Sequence, residues 1–290
     1  MSRAGTAGTP ARDALDGAIT AIAAAGCDTP RLDAEVLLAE VLGVTRERLL
    51  TDRELRVAGP AVRAYQSAVR RRAVEREPVA YIVGRRAFRH LELAVDRRAL
   101  VPRPETELLV EVALDLPTGS AVLDVGTGSG AVALALKQER PDLAVWGTDI
   151  SDDALALAAE NGRALGVDVG WLQGDLLDGV PDRFDAVLSN PPYVADGERA
   201  SLAPEIVRHE PPQALFAGPE GLDAIAALAA QLAGRERVAT VAFEVGAGQA
   251  ERAGELLADA GFGSIRFEVD LGGINRVVIA RKGDRHGSGS

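Results

Sequence analysis

Cysteine is nearly absent: Cys27 stands alone among 290 residues, so no disulfide can form within the chain. That excludes a disulfide-stapled scaffold and points to a reducing, cytoplasmic compartment. Cys27 follows Gly26 where a helix should end, and it reads as filler rather than as a nucleophile. Histidine is almost as scarce. His90, His209 and His286 are scattered, and neither a role nor a metal is assigned to them. No apolar run approaches the length of a membrane span. Small and polar residues follow Arg3 where a secretory leader would need an apolar stretch, so none is expected. Basic residues are outnumbered, and a formal net charge of −11 argues against a general nucleic-acid binder with a broad cationic face.

What remains is an alanine-rich chain long enough for one large domain and a smaller one. Its arginines are uneven: Arg63, Arg70, Arg71, Arg72, Arg76, Arg85, Arg86, Arg89, Arg97, Arg98 and Arg103 crowd one segment. A solvated helix face with exposed loops explains them, and so would a docking patch for an acidic or ribosome-associated partner.

Residues 1–9 are small and polar and are expected to be disordered. Apolar residues then recur at helical spacing from Asp13 to Ala25 and from Leu32 to Leu42, with Val36, Leu37, Val41 and Leu42 on one face and Gly43 as the stop. A short helical turn over Thr45 to Leu50 and a helix from Pro60 to Arg76 complete a helical N-terminal domain, residues 1–76. Residues 77–101 read as a linker with a β-hairpin. Residues 102–283 alternate strand and helix, and 284–290 form a polar tail expected to be disordered.

The alternating part is organised around Phe184 to Tyr193, an apolar run ending in Asn190-Pro191-Pro192-Tyr193. A short apolar stretch bounded by turn residues is what a parallel sheet buries on both faces. The prolines stop the strand, since neither offers an N–H. Asn190, pushed to extended geometry by the proline after it, is held at a strand's carboxyl end, where open α/β sheets bind ligands. Its carboxamide oxygen and the Pro191 carbonyl could each accept one N–H of a substrate amide or exocyclic amine, with Pro192 and Tyr193 beside them. A plain strand-ending turn would use the same residues.

A second motif, Ala121 to Gly130, joins a strand to a helix from Ala131 through the turn Gly126-Thr127-Gly128-Ser129-Gly130. Such a turn lets backbone approach a ligand and aims helix N–H groups at it. Gly126, Gly128 and Ala131 fit a dinucleotide fingerprint, and Asp149 ends the next strand where a ribose-binding acid belongs. The same residues fit an S-adenosylmethionine site. Asp124 favours the second fit, because it could answer a cationic amino group where a pyrophosphate would be repelled. Trp171 to Asp175 is a third strand, and Asp175 or the neighbouring Leu176 would flank an adenine. Arg237 to Val245 is a further strand, with Glu244 near its end. The Gly272-Gly273 turn is too short for a parallel crossover, so the last two strands pair antiparallel. The whole predicts a mostly parallel sheet with helices on both faces, and it places the glycine turn and Asn190 on one edge.

These motifs, together with Pro102-Arg103-Pro104-Glu105-Thr106-Glu107, occur in an order and spacing that resemble the protein-(glutamine-N5) methyltransferases acting on peptide chain release factors. Pro78, Tyr81, Ile82, Gly84 and Phe88 are similar to that family's linker, and so are Glu210-Pro211 and Asp270-Leu271 to later segments. The resemblance covers nearly the whole chain and is weakest in the first seventy or so residues. It implies a seven-stranded, Rossmann-like methyltransferase domain with its last strand antiparallel, preceded by a small helical domain that recognises the substrate factor. It further implies S-adenosyl-L-methionine as methyl donor and the glutamine of a release factor's Gly-Gly-Gln motif as acceptor. Asp124, Gly126 to Gly130, Asp149, Asp175, Leu176 and Asn190 would hold the donor, and Asn190, Pro191, Pro192 and Tyr193 the glutamine. The stretch after the third strand lacks the aromatic that would face adenine. A monomer is expected. The rivals are an adenine-N6 or guanine-N2 nucleic-acid methyltransferase, an NAD-dependent oxidoreductase, and a non-catalytic partner of the translation machinery.

Overall fold

A computed structural model describes residues 8–283. Of the two ends expected to be disordered, 1–9 and 284–290, residues 1–7 and 284–290 lie outside the described residues. The chain divides into two compact units.

The first unit runs to Gly84 and also takes in Ala203–His209. Its elements are β1 (Thr9–Pro10), α1 (Ala11–Ala24), α2 (Pro30–Leu42), α3 (Arg46–Thr51), β2 (Arg56–Val57), α4 (Pro60–Ala73) and α5 (Val79–Val83). Thr9, expected to be irregular, pairs with Val57 instead. Gly43 closes α2 with φ +63, a left-handed cap that glycine adopts without a Cβ penalty. The buried face of α2 differs from the sequence expectation. Ala34, Leu37 and Leu38 are buried whereas Val36, Val41 and Leu42 are only half-buried. Polar burial is the reason. Asp33 and Glu35 point inward to arginines, and this turns the helix away from its purely apolar stripe.

The arginine cluster is mixed: Arg63, Arg70, Arg85 and Arg97 are exposed, while others turn to carboxylates inside the chain. Arg72 is 6% exposed; its Nε donates to Asp33 at 2.6 Å and its Nη2 to Glu205 at 3.0 Å. Arg76 donates to the other oxygen of Glu205 at 2.6 Å, and Arg71 holds Glu77 with two bonds. In the second unit Arg89 grips Glu139, Arg98 grips Asp96 and Glu160, and Arg103 grips Glu210. Most of these guanidiniums are therefore consumed inside the chain.

The second unit opens with a hairpin, β3 (Arg85–Phe88) and β4 (Leu91–Ala94), and then α6 (Glu107–Leu114) behind the proline-rich loop. The alternation follows: β5 (Ala121–Val125), α7 (Ala131–Glu139), β6 (Ala144–Asp149), α8 (Asp152–Leu165), β7 (Gly170–Gln173) and β8 (Ala186–Ser189). After β8 the chain leaves for α9 (Pro204–His209) and returns with α10 (Asp223–Leu232), β9 (Thr240–Glu244), α11 (Ala250–Asp259), β10 (Ser264–Val269) and β11 (Asn275–Arg281). The third strand of the sheet ends at Gln173, so Asp175 lies in the turn beyond it.

Seven strands pair in the order β10-β11-β9-β8-β5-β6-β7. β11 slides between β9 and β10 and is antiparallel to both, and its short glycine turn requires this of the β10–β11 pair. Side chains alternate between two cores. Val122, Ala186, Leu188, Ala242 and Val277 face α6 and α7, while Leu123, Val187, Val241, Phe243 and Val278 face α10 and α11. Every carboxyl end of the parallel strands therefore opens on one edge, between two layers of helices.

Candidate active site

A cavity of about 490 Å³ opens at that edge. Its floor is the turn after β5. Gly126, Gly128 and Gly130 take φ of +70, +55 and +83, backbone conformations that side chains resist. Gly126 and Thr127 give their N–H groups to the Thr148 carbonyl, and Gly128 gives its N–H to Asp149 Oδ2 at 2.9 Å. Gly130 starts α7, and a Cβ there would lie 3.0 Å from Leu134 and 3.1 Å from Ala158 and Trp171. Ser129 is held from below by Asn161, whose Nδ2 donates to the Ser129 and Ala94 carbonyls.

Two carboxylates flank this turn. Asp124 is 2% exposed, accepts from Thr127 Oγ1 at 2.6 Å, and is pushed up to about 7 by burial. Asp149 is also raised by burial, and its Oδ1 accepts from the Ser151 N–H. Ser151, not Asp149, caps α8, with its hydroxyl accepting from Ala154. That leaves Asp149 as the group that faces the cavity at the end of β6.

Asp175 and Leu176 line the same cavity. Leu176 holds φ +56, a left-handed backbone that costs free energy in a residue with a side chain. Opposite them stand Asn190 and Pro192. Asn190 Nδ2 donates to Thr106 Oγ1 at 3.1 Å, so Oδ1 is the acceptor available to a ligand. The Asn190 carbonyl lies 4.0 Å from where a Cβ on Gly126 would stand, so the two motifs touch.

Pro191 and Tyr193 are placed differently, since neither lines the cavity. Tyr193 turns its hydroxyl to Glu244 Oε1 at 3.3 Å, and its carbonyl accepts from Gln249 Nε2. Several lining residues went unread in the sequence, among them Arg98, Phe216, Gly218 and Asp223. Only Gly218 carried a signal. A Cβ there would meet the Asp223 carboxylate at 2.0 Å.

Comparison with known proteins decides the family. Residues 13–84 match the PrmC N-terminal domain, and residues 104–219 match the methyltransferase small domain. A release factor glutamine methyltransferase of Cereibacter sphaeroides is 42% identical over 93% of this chain and 98% of its own length. One from Aliivibrio fischeri is 38% identical over 92% and 95%. This chain belongs to the release factor glutamine methyltransferase family. It is an enzyme whose methyl donor is S-adenosyl-L-methionine.

Solved structures agree on the fold. A methyltransferase from Pyrococcus furiosus superposes with a TM-score of 0.52 at 18% identity, covering 68% of this chain and 91% of its own. A 16S rRNA N2 G1207 methyltransferase of Thermus thermophilus, in complex with AdoMet and guanosine, gives 0.50 at 20% identity, covering 68% and 49%. The residues of the cavity fit the donor the family uses. Asp124 and Asp149 offer acceptors for cationic and hydroxyl groups, and the glycines leave the backbone open to close approach. At Gly174, which also lines the cavity, a Cβ would press within 2.8 Å of the Asp178 carbonyl.

Proposed function

We propose that this chain transfers the methyl group of S-adenosyl-L-methionine to N5 of the glutamine in the Gly-Gly-Gln motif of peptide chain release factors. One observation carries the reading. The Asn190 carboxamide, tied through Nδ2 to Thr106, stands against the glycine turn in one cavity. On the donor side, Asp124, Gly126, Thr127, Gly128, Ser129, Gly130, Asp149, Asp175 and Leu176 hold the cofactor, with Asn190 at the junction. On the acceptor side, Asn190 Oδ1 and the Pro191 carbonyl each accept one N–H of the glutamine amide. Pro192 closes the slot and Tyr193 backs the motif.

When bound, the donor supplies an electrophilic sulfonium methyl. The amide nitrogen is a poor nucleophile because its lone pair is delocalised, so the chain's contribution is alignment and polarity. Accepting at both N–H groups raises electron density on nitrogen and favours the charge that develops during transfer. Holding donor and acceptor in line contributes on the order of 7–11 kcal/mol.

Residues 1–76 would recognise the factor, 77–101 connect, and 102–283 carry out the transfer, as a monomer in the cytoplasm. Direct nucleic-acid binding and membrane attachment have no part in it; among the described residues no helix is long and apolar enough to cross a membrane. Mass spectrometry of the Gly-Gly-Gln peptide from cells with and without the protein tests the reading. A methylated glutamine that disappears with the gene supports it. Labelled methyl appearing on RNA or DNA but not on release factor, in parallel assays, refutes it.

A further inference from the structure

Asn190 and Pro191 carry the two acceptors assigned to the substrate amide, and the chain has to hold them from both ends. Upstream, the ladder of β8 runs to Ser189, which pairs with Val125 and Phe243, and Asn190 Nδ2 is tied to Thr106. Downstream the motif has less to offer. Pro191 and Pro192 have no N–H, and proline fixes φ while leaving ψ to turn the carbonyl. Where the Pro191 carbonyl points is therefore settled by what anchors the chain after it. The Tyr193 hydroxyl reaches Glu244, but the Tyr193 carbonyl needs a donor of its own.

That donor comes from a distant segment. Gln249, just ahead of α11, turns Nε2 to the Tyr193 carbonyl at 2.9 Å and to the Glu220 and Gly221 carbonyls at 3.2 and 3.3 Å. Its Oε1 accepts from the Gly246 N–H, just beyond β9, at 2.8 Å. One side chain thus joins the motif, the turn at Glu220-Gly221 and the end of β9. The fit is close: Gly221 holds φ +70, and a Cβ there would overlap the Tyr193 carbonyl. Beyond Tyr193, Val194 gives its N–H to the Leu215 carbonyl and accepts from the Ala217 N–H. The stretch that carries Phe216 and Gly218 to the cavity is laced to the motif in this way, while Gln249 itself does not line the cavity.

We propose that Gln249 is a positioning residue, which by holding the Tyr193 carbonyl fixes the line along which Asn190 and Pro191 present their acceptors to the methyl-accepting amide. The inference rests on the function proposed above and names what holds its acceptor side. A carboxamide suits the place. Its oxygen accepts from Gly246 while its nitrogen donates to carbonyls, and a carboxylate of the same shape meets only the first demand. Charged, that carboxylate would set an oxygen against the Tyr193 carbonyl. Protonated, its O–H could donate there again.

Gln249→Glu is the test, since it keeps the volume and the Gly246 bond. At about pH 8 it should lose roughly ten- to a hundredfold in kcat, the scale of a displacement of about 1 Å near reacting groups. Donor affinity and KM for the release factor should stay within about twofold. As pH falls toward about 5.5, kcat relative to wild type should recover, because the introduced carboxyl, desolvated and facing carbonyls, binds its proton above the ordinary carboxylate range. A kcat equal to wild type, a ratio indifferent to pH, or a loss confined to KM overturns the inference. Should Gln249→Glu fail to fold, Gln249→Met, unbranched and without a donor, has to show the same loss in kcat, and an unchanged kcat overturns the inference equally. A reading without substrate comes from 15N NMR of Gln249→Met. The backbone amides of Val194, next to the released carbonyl, and of Asn190 should both move. Movement of Val194 alone would mean that the restraint ends at Tyr193, and the inference fails. Absence of any transfer by the wild type refutes the function and leaves the NMR result to judge Gln249 alone.

Discussion

Asn190 sits one residue beyond β8, and its backbone is constrained by the two prolines that follow and by its contact with the glycine turn. Its side chain is therefore aimed by sequence-local chemistry, and its Nδ2 is bonded to Thr106, 84 residues away along the chain. Replacing it by alanine removes the acceptor without touching Asp124, Asp149 or the turn that holds the donor. Asn190→Ala should cost at least about a hundredfold in kcat, in the range seen when one preorganised hydrogen-bonding group is removed from a site. Donor affinity by calorimetry should stay within about twofold. Turnover equal to wild type would dismiss the assigned role, and a collapse of donor binding would move Asn190 to the other side of the cavity. The residue scale also shows what a sequence reader can find. Asn190 and the glycines were legible because proline and glycine leave steric signatures. The bond between Asn190 and Thr106 was not, since a single polar residue in an otherwise explained segment carries no period and no punctuation.

At the scale of elements, α9 departs most from a sequence reading. Six residues between β8 and β9, Pro204–His209, belong to the compact unit of the N-terminal helices rather than to the one that contains the strands on either side. No hydrophobic pattern announces this, because polar groups hold the segment. Glu205 lies between Arg72 and Arg76, and His209 Nε2 is bonded to the Glu75 carbonyl at 2.7 Å. Arg72 also binds Asp33 on α2, so one guanidinium joins three helices. Removing it would leave the buried Asp33 without a cation, with only the Thr29 hydroxyl to hold it, while Glu205 keeps Arg76. Arg72→Ala should destabilise the helical unit by about 3–5 kcal/mol, the usual cost of breaking a buried pair from one side. Arg72→Lys should recover only part of this, because a point charge cannot span both partners as a planar fork does. Amide hydrogen exchange in α4 is the direct measure. Protection unchanged in Arg72→Ala would mean that the ion pairs contribute nothing net.

Across the whole molecule the fold was legible where burial repeats and obscure where charges pair. The alternation of Val122 and Leu123, or of Val241 and Ala242, between two cores follows from apolar runs alone, and the antiparallel β11 follows from a two-glycine turn. The same runs placed the ligand edge, because parallel strands carry their carboxyl ends to one side. The chain keeps two carboxyls beneath that edge, Asp124 and Glu244, each raised to about 7 by desolvation. Among the described residues neither forms a salt bridge, so each is a standing cost to the folded state when charged. The sign follows from linkage. A folded pKa above the unfolded value means that the folded chain holds protons the unfolded chain has released. The stabilisation is complete below the ordinary carboxylate range and is lost as pH rises through about 7. Carboxylates held low by arginine, such as Glu139 and Glu205, act in the opposite sense, but only as pH falls below that range. Between about pH 5 and about pH 8 the two raised groups dominate, and the sheet-bearing unit should lose on the order of a few kcal/mol. Urea unfolding at the two ends of that window should show the loss in the wild type, and Asp124→Asn with Glu244→Gln should remove most of it. A loss of the same size in the double variant would place the titration elsewhere. Protein that is flattened by these substitutions yet slow in methyl transfer would show that the chain keeps its charges at the site at the expense of its own stability.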